Sequence, residues 1–127
     1  MTKFLAICAL MVAGVPVAAE KLNSGDVFYC VSNAFAQSGD QTDWKLEAYA
    51  SEKFKIQITQ DKVNFSHDGW FKNFNMTVNF FADDKLKAVE DDYVITLHLR
   101  NKSQAKFTLT ENTAYGFMAI TANCDRF

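Results

Sequence analysis

Alternation with a period of two constrains this chain more than any other feature. In KFKIQITQ at 53–60, Phe54, Ile56 and Ile58 alternate with Lys53, Lys55, Gln57 and Thr59, the pattern of a strand with one face buried and the other in water. Val63 and Phe65 resume the apolar phase after Gln60-Asp61, so 53–66 is predicted to be a tight hairpin. FNMTVNFF directs Phe74, Met76, Val78 and Phe80 to one face, and YVITLHL directs Tyr93, Ile95, Leu97 and Leu99. AKFTLT adds Phe107 and Leu109, and YGFMAIT adds Tyr115, Phe117 and Ala119. DVFYCVSNAFA at 26–36 is apolar on both faces and is expected to be covered on both sides.

Polar clusters punctuate these runs, among them SGDQTD, SHDG, EDD and RNKSQ. The single proline, Pro16, precedes them all, so nothing interrupts a ladder of hydrogen bonds. DWKLEAYASEKF at 43–54 has two readings. Its Trp44, Leu46, Ala48 alternation suits a strand, while Leu, Glu, Ala and Lys after Thr42 or Asp43 suit a short capped helix. Short strands at close spacing predict an all-β fold, a small antiparallel up-and-down barrel or sandwich of about eight strands, lipocalin-like in outline.

The N-terminus reads MTKFLAICALMVAGVPVAAEKL. A basic start at Lys3, an apolar run from Phe4 to Val15, and Val17 and Ala19 before Glu20 have the layout of a signal peptide at 1–19 cut after Ala19. The apolar run falls short of the ~20 residues a membrane span needs. Cys8 follows bulky Ile7, which disfavours lipoprotein processing. Cleavage leaves one β domain at 20–127, exported to a periplasm or secreted, with no membrane span. Its twelve basic and fifteen acidic residues give a net charge of −3, and such a surface disfavours nucleic acid.

Removal of Cys8 leaves Cys30 and Cys124, and two cysteines in an exported chain most simply form one disulfide. Cys30 lies on the first strand and Cys124 is expected just past the last. In an up-and-down barrel those strands are neighbours, so the bond is expected to staple the closing seam.

An early Tyr29-Cys30, a short barrel behind a signal peptide and a cysteine near the C-terminus are similar in outline to the small periplasmic lysozyme inhibitors. The Ser-Gly-x-x-Tyr loop those proteins use has no counterpart, since SGDQTDW at 38–44 has no tyrosine in place. Lipocalins share the architecture only: their Gly-x-Trp near the start is absent.

No catalytic device has its usual spacing, and no cofactor or metal is implied. His67 and His98 are far apart in sequence, and the acidic pairs at 83–84 and 90–92 lack calcium-loop spacing. Asn64, Asn75 and Asn101 begin glycosylation sequons, idle in a bacterium; Asn101, in a turn, is the candidate in a eukaryotic host.

The inward set, including Trp44, Leu46, Phe80, Tyr115 and Phe117, is large enough to pack a small barrel. A ligand-holding barrel would instead need an open end, and HDGWF offers His67, Trp70 and Phe71 as its candidate binding rim. Three functions follow in order: a non-catalytic protein-binding or inhibitor-like module, a carrier of a small apolar ligand, and an enzyme of unrecognised class. An exposed cluster of Phe35, Trp70, Phe71, Phe81 and Phe127 would mark the first.

Overall fold

A computed structural model describes residues 21–66, 70–71 and 74–127 of the chain. The expected signal segment and His67 lie outside the described residues. Nine strands form one sheet: β1 (Val27–Gly39), β2 (Glu47–Ala48), β3 (Lys53–Ile58), β4 (Lys62–Phe65), β5 (Asn75–Phe81), β6 (Lys85–Glu90), β7 (Tyr93–Asn101), β8 (Gln104–Thr113) and β9 (Gly116–Arg126). All pairings are antiparallel, and β1 pairs with β9 as well as β3. The sheet is therefore a closed eight-stranded up-and-down barrel with β2 as the extra strand, not a sandwich. The chain from 43 to 54 contains no helix: a 3₁₀ turn at Asp40–Thr42 leads into β2 and then β3, both on the same edge of β1.

Ser32 bridges the break between β2 and β3. The Ser51 hydroxyl donates to its carbonyl at 2.8 Å, and the Glu52 amide donates to its hydroxyl at 2.7 Å. One-residue bulges near Asn33 in β1 and Asn79 in β5 shift the inward phase, because an extra residue reverses every later side chain. The second bulge corrects the expectation for Phe80. Met76 and Val78 face the barrel, but beyond Asn79 it is Phe81 that packs on the core, while Phe80 is exposed beside Lys87.

The last strand also runs in the opposite phase to that expected. Met118, Ile120, Ala122 and Cys124 are buried, and Tyr115 and Phe117 are exposed. Cys124 lies within β9 rather than past it, directly opposite Cys30, and the two form a disulfide across the seam with Cα atoms 4.0 Å apart. That bond sets the register: counting back by two from an inward Cys124 turns Tyr115 and Phe117 outward. Trp44 and Leu46 leave the core for a different reason. β2 pairs only through Glu47 and Ala48, so residues 44–46 stand beyond the barrel wall with nothing to pack against. The outer face of β1 is half open, Tyr29 and Val31 being exposed rather than covered.

The described side chains pack the interior. Phe28, Ile56, Ile58, Val63, Met76, Ile95, Leu97, Phe107, Leu109 and Ile120 are all buried from water. Phe71, only 1% exposed, enters from the chain between β4 and β5 and packs 4.3 Å from Phe54 and 5.2 Å from Phe65, centroid to centroid. It fills the mouth at the end where β1 terminates, here termed the upper end. At the lower end Leu22 is buried, and its amide donates to the Asp83 carbonyl. Arg126 latches the start of the described chain to its C-terminal strand there: its guanidinium pairs with Asp26 at 2.8 Å, donates to the Lys21 and Lys102 carbonyls, and lies over the Phe28 ring.

The disulfide joins residues 94 apart in sequence, and tying so long a loop removes unfolded-state entropy equivalent to roughly 4–5 kcal/mol. A Cys30→Ala/Cys124→Ala variant is expected to lose about 3–5 kcal/mol in urea unfolding while keeping its β-sheet circular dichroism. Unchanged stability would contradict a stapled seam.

Candidate functional site

The lower end is occupied by residues 21–26, the end of β9 and the Arg126 latch, and the largest group of exposed apolar side chains lies at the upper end. Its geometry begins with two glycines. Gly39 at the end of β1 pairs with Gly116 at the start of β9, and a Cβ on either would collide with backbone of the other strand. Only glycine permits this approach, and Gly116 also has φ +148°, which L side chains rarely adopt. The close crossing brings the 3₁₀ turn against the β8–β9 turn, where the Asp40 amide donates to the Tyr115 carbonyl at 3.0 Å.

The chain after Gly39 is pinned by backbone and Thr42. The Gly39 amide donates to the Thr42 hydroxyl at 2.9 Å, and that hydroxyl donates back to the Gly39 carbonyl at 3.1 Å. The Asp43 amide reaches the Asp40 carbonyl and the Trp44 amide reaches the Gly39 carbonyl. These bonds hold Asp43 and Trp44 at φ 55° and 59°, two consecutive left-handed residues without a glycine. Such a conformation costs roughly 1–2 kcal/mol per residue and persists where its surroundings enforce it. The turn thereby presents Trp44 at 60% and Leu46 at 68% exposure.

Neighbouring elements extend this surface. Tyr115, 73% exposed, and Phe117 stand on the β8–β9 hairpin, and Tyr49 follows β2. Trp70 is partly exposed on the chain between β4 and β5, edge-on to Phe35 at 5.4 Å, and Phe35 meets Tyr49 at 5.1 Å. Six large apolar side chains, Trp44, Leu46, Tyr49, Trp70, Tyr115 and Phe117, are thus exposed at one end.

Two clefts indent this end on either side of Gln37. One of about 370 Å³ lies between the 3₁₀ turn and the β8–β9 hairpin, lined by Asp40, Gln41, Glu111, Tyr115 and Phe117 among others. The second, about 400 Å³, is lined by Phe35, Tyr49, Glu52 and Trp70. Tyr93, opposite Glu111 on β7, has a phenol pKa raised by partial burial and then by the carboxylates of Glu111, Asp92 and Glu90. Burial and Glu47 likewise raise that of Tyr49. Both phenols remain protonated donors at neutral pH.

Of the rim residues read from HDGWF, Trp70 lies at the upper end and Phe71 points inward as a core plug, closed to any partner. The expected aromatic cluster is dispersed: Phe35 is buried, Phe81 packs on the core, and Phe127, 87% exposed, stacks edge-on with Tyr29 at the other end. Sequence reasoning saw Trp44, Tyr115 and Phe117 but assigned them to the core. His98 stands on the outer wall, 3.5 Å from Asp84. No group of three or more His, Cys, Asp or Glu side chains able to hold a metal ion occurs among the described residues.

The chain matches no protein-family model, no curated protein and no solved structure.

A Trp44→Gly substitution removes an exposed ring and relieves a left-handed φ, so it is expected to stabilise the fold by about 0.5–1 kcal/mol in urea unfolding. A loss of 1 kcal/mol or more would show that Trp44 serves the core and not the surface.

Proposed function

We propose that the mature chain is an exported, non-catalytic protein-binding or inhibitor-like module that engages its partner with the upper end of the barrel. The observation that carries this reading is the gathering of Trp44, Leu46, Tyr49, Trp70, Tyr115 and Phe117 in exposed positions at that end. Trp and Tyr are over-represented among the residues that dominate binding energies, and contiguous exposed apolar surface marks interaction sites. The pinned turn adds a second support. A loop already held in one conformation loses little entropy on binding, and strain retained in an exposed turn is a cost that function explains better than stability.

The carrier reading draws less support, since Phe71 and Leu22 fill the two mouths and aromatic rings occupy the space between. Export rests on the reading of residues 1–19, and the Cys30–Cys124 disulfide is compatible with an oxidising compartment.

A photo-reactive phenylalanine analogue placed at 44, at 115 and, as a control, at 106 on the outer wall tests the proposal in the protein's own host. Positions 44 and 115 are expected to crosslink the same protein, identified by mass spectrometry, and position 106 is expected to yield none. Absence of a protein adduct at both rim positions, or an equal adduct at 106, would overturn it. So would a small-molecule mass retained in native spectra of both Trp44→Ala and Tyr115→Ala, which would place the carrier reading first.

A further inference from the structure

Charge is divided unequally between the two ends of the barrel, and that division indicates what the rim binds. The described upper segments 40–53, 90–92 and 111–116 contain Asp40, Asp43, Glu47, Glu52, Glu90, Asp91, Asp92 and Glu111, eight carboxylates against Lys45 and Lys53, while Asp68 and Lys72 of the β4–β5 connection lie outside the described residues. The lower segments 21–26, 59–62, 82–85, 100–104 and 125–127 are nearly balanced, with six basic side chains against five acidic ones. The Arg126–Asp26 ion pair and the His98–Asp84 contact, the charged-group contacts formed among the described residues, both involve lower-end carboxylates. The upper end therefore combines an apolar rim with negative charge that the described residues do not neutralise.

Resting on the protein-binding reading, we infer that the partner is a basic protein whose arginine or lysine side chain seats in the 370 Å³ cleft beside Asp40 and Glu111. The cleft offers each kind of contact a cation needs. Asp40 and Glu111 supply opposite charge, the Gln37 and Gln41 amides supply acceptors, and the Tyr115 and Phe117 rings supply π faces for a guanidinium or the stem of a lysine. A carboxylate set among aromatic rings attracts a cation more strongly than one in open water, because closing the interface lowers the local dielectric. The same charge disfavours the competing occupants. A second copy docked rim to rim would oppose eight carboxylates with eight more, and nucleic acid or an anionic lipid surface would be repelled.

Titration of ¹⁵N-labelled mature protein with hexa-arginine amide, followed by amide chemical shifts, tests the inference. Saturable shifts are expected at 37–44 and 111–117, with the lower turns 59–62 and 82–85 unmoved. Asp40→Asn/Glu111→Gln is expected to weaken binding at least tenfold, and Asp61→Asn/Asp83→Asn, which removes the same charge at the lower end, by less than about twofold. Each variant's own spectrum reports whether it folds. Shifts spread over both ends, or a rim variant that binds as tightly as the parent, would overturn the cationic assignment. If the photo-crosslinks at 44 and 115 still capture one protein in that case, the protein-binding reading stands and only the partner's chemistry is wrong. If the crosslinks fail as well, both fall.

Discussion

The seam between β1 and β9 is the constraint on which the rest of the molecule depends. Eleven residue pairs run along it from Phe28 opposite Arg126 to Gly39 opposite Gly116, joining the first strand of the domain to its last. The other neighbours in the barrel are joined by connections of at most 13 residues, so those pairings close far smaller loops than the seam does. The seam closes nearly the whole domain at once, so it carries the largest loop-closure entropy of any pairing in the barrel. The Cys30–Cys124 bond acts at that point. Without closure, β1 and β9 would each present an open edge, and the inward aromatic residues would lose the wall opposite them.

Closure also gives the barrel two unlike ends. Arg126 gathers Asp26, Lys21 and Lys102 at the lower end, where Leu22 fills the mouth, so the start of the described chain and the end of the seam meet in one latch. At the upper end the seam finishes in the Gly39–Gly116 crossing, and β1, the 3₁₀ turn and the β8–β9 hairpin project from it. With the core complete below, the side chains of these projections have no interior to enter. The rim is thus a direct result of strands that run longer than the barrel they close. Trp44, Leu46 and Tyr115 stand largely clear of the core there, while Trp70 and Tyr49 keep edge contacts to buried Phe35.

Much of this was legible in the sequence, and the failures have specific physical causes. Period-two alternation in KFKIQITQ and YVITLHL marks β3 and β7 because each keeps one face on the core throughout. The cysteine pair marks the seam because a disulfide needs neighbouring strands. The phase of FNMTVNFF breaks at Asn79, where a bulge reverses the pattern; nothing local to those residues distinguishes a bulged asparagine from a regular one. YGFMAIT carries apolar residues on both faces, Tyr115 and Phe117 against Met118 and Ile120, so alternation alone leaves its phase undecided. An inward Cys124, read back along the strand, would have decided it and exposed the rim. The pinned turn at 39–44 was hidden for another reason: it depends on the Thr42 hydroxyl and on Gly116, a partner distant in sequence.

The central claim is that the rim is built into the fold itself. Native-state hydrogen exchange of the free, oxidised protein measures this most directly. The amides of Trp44, Lys45 and Tyr49, which donate to Gly39, Thr42 and Phe35, are predicted to be protected by orders of magnitude relative to an unstructured chain. Exchange of those three amides at the unstructured rate, beside a protected β1–β9 seam, would contradict it.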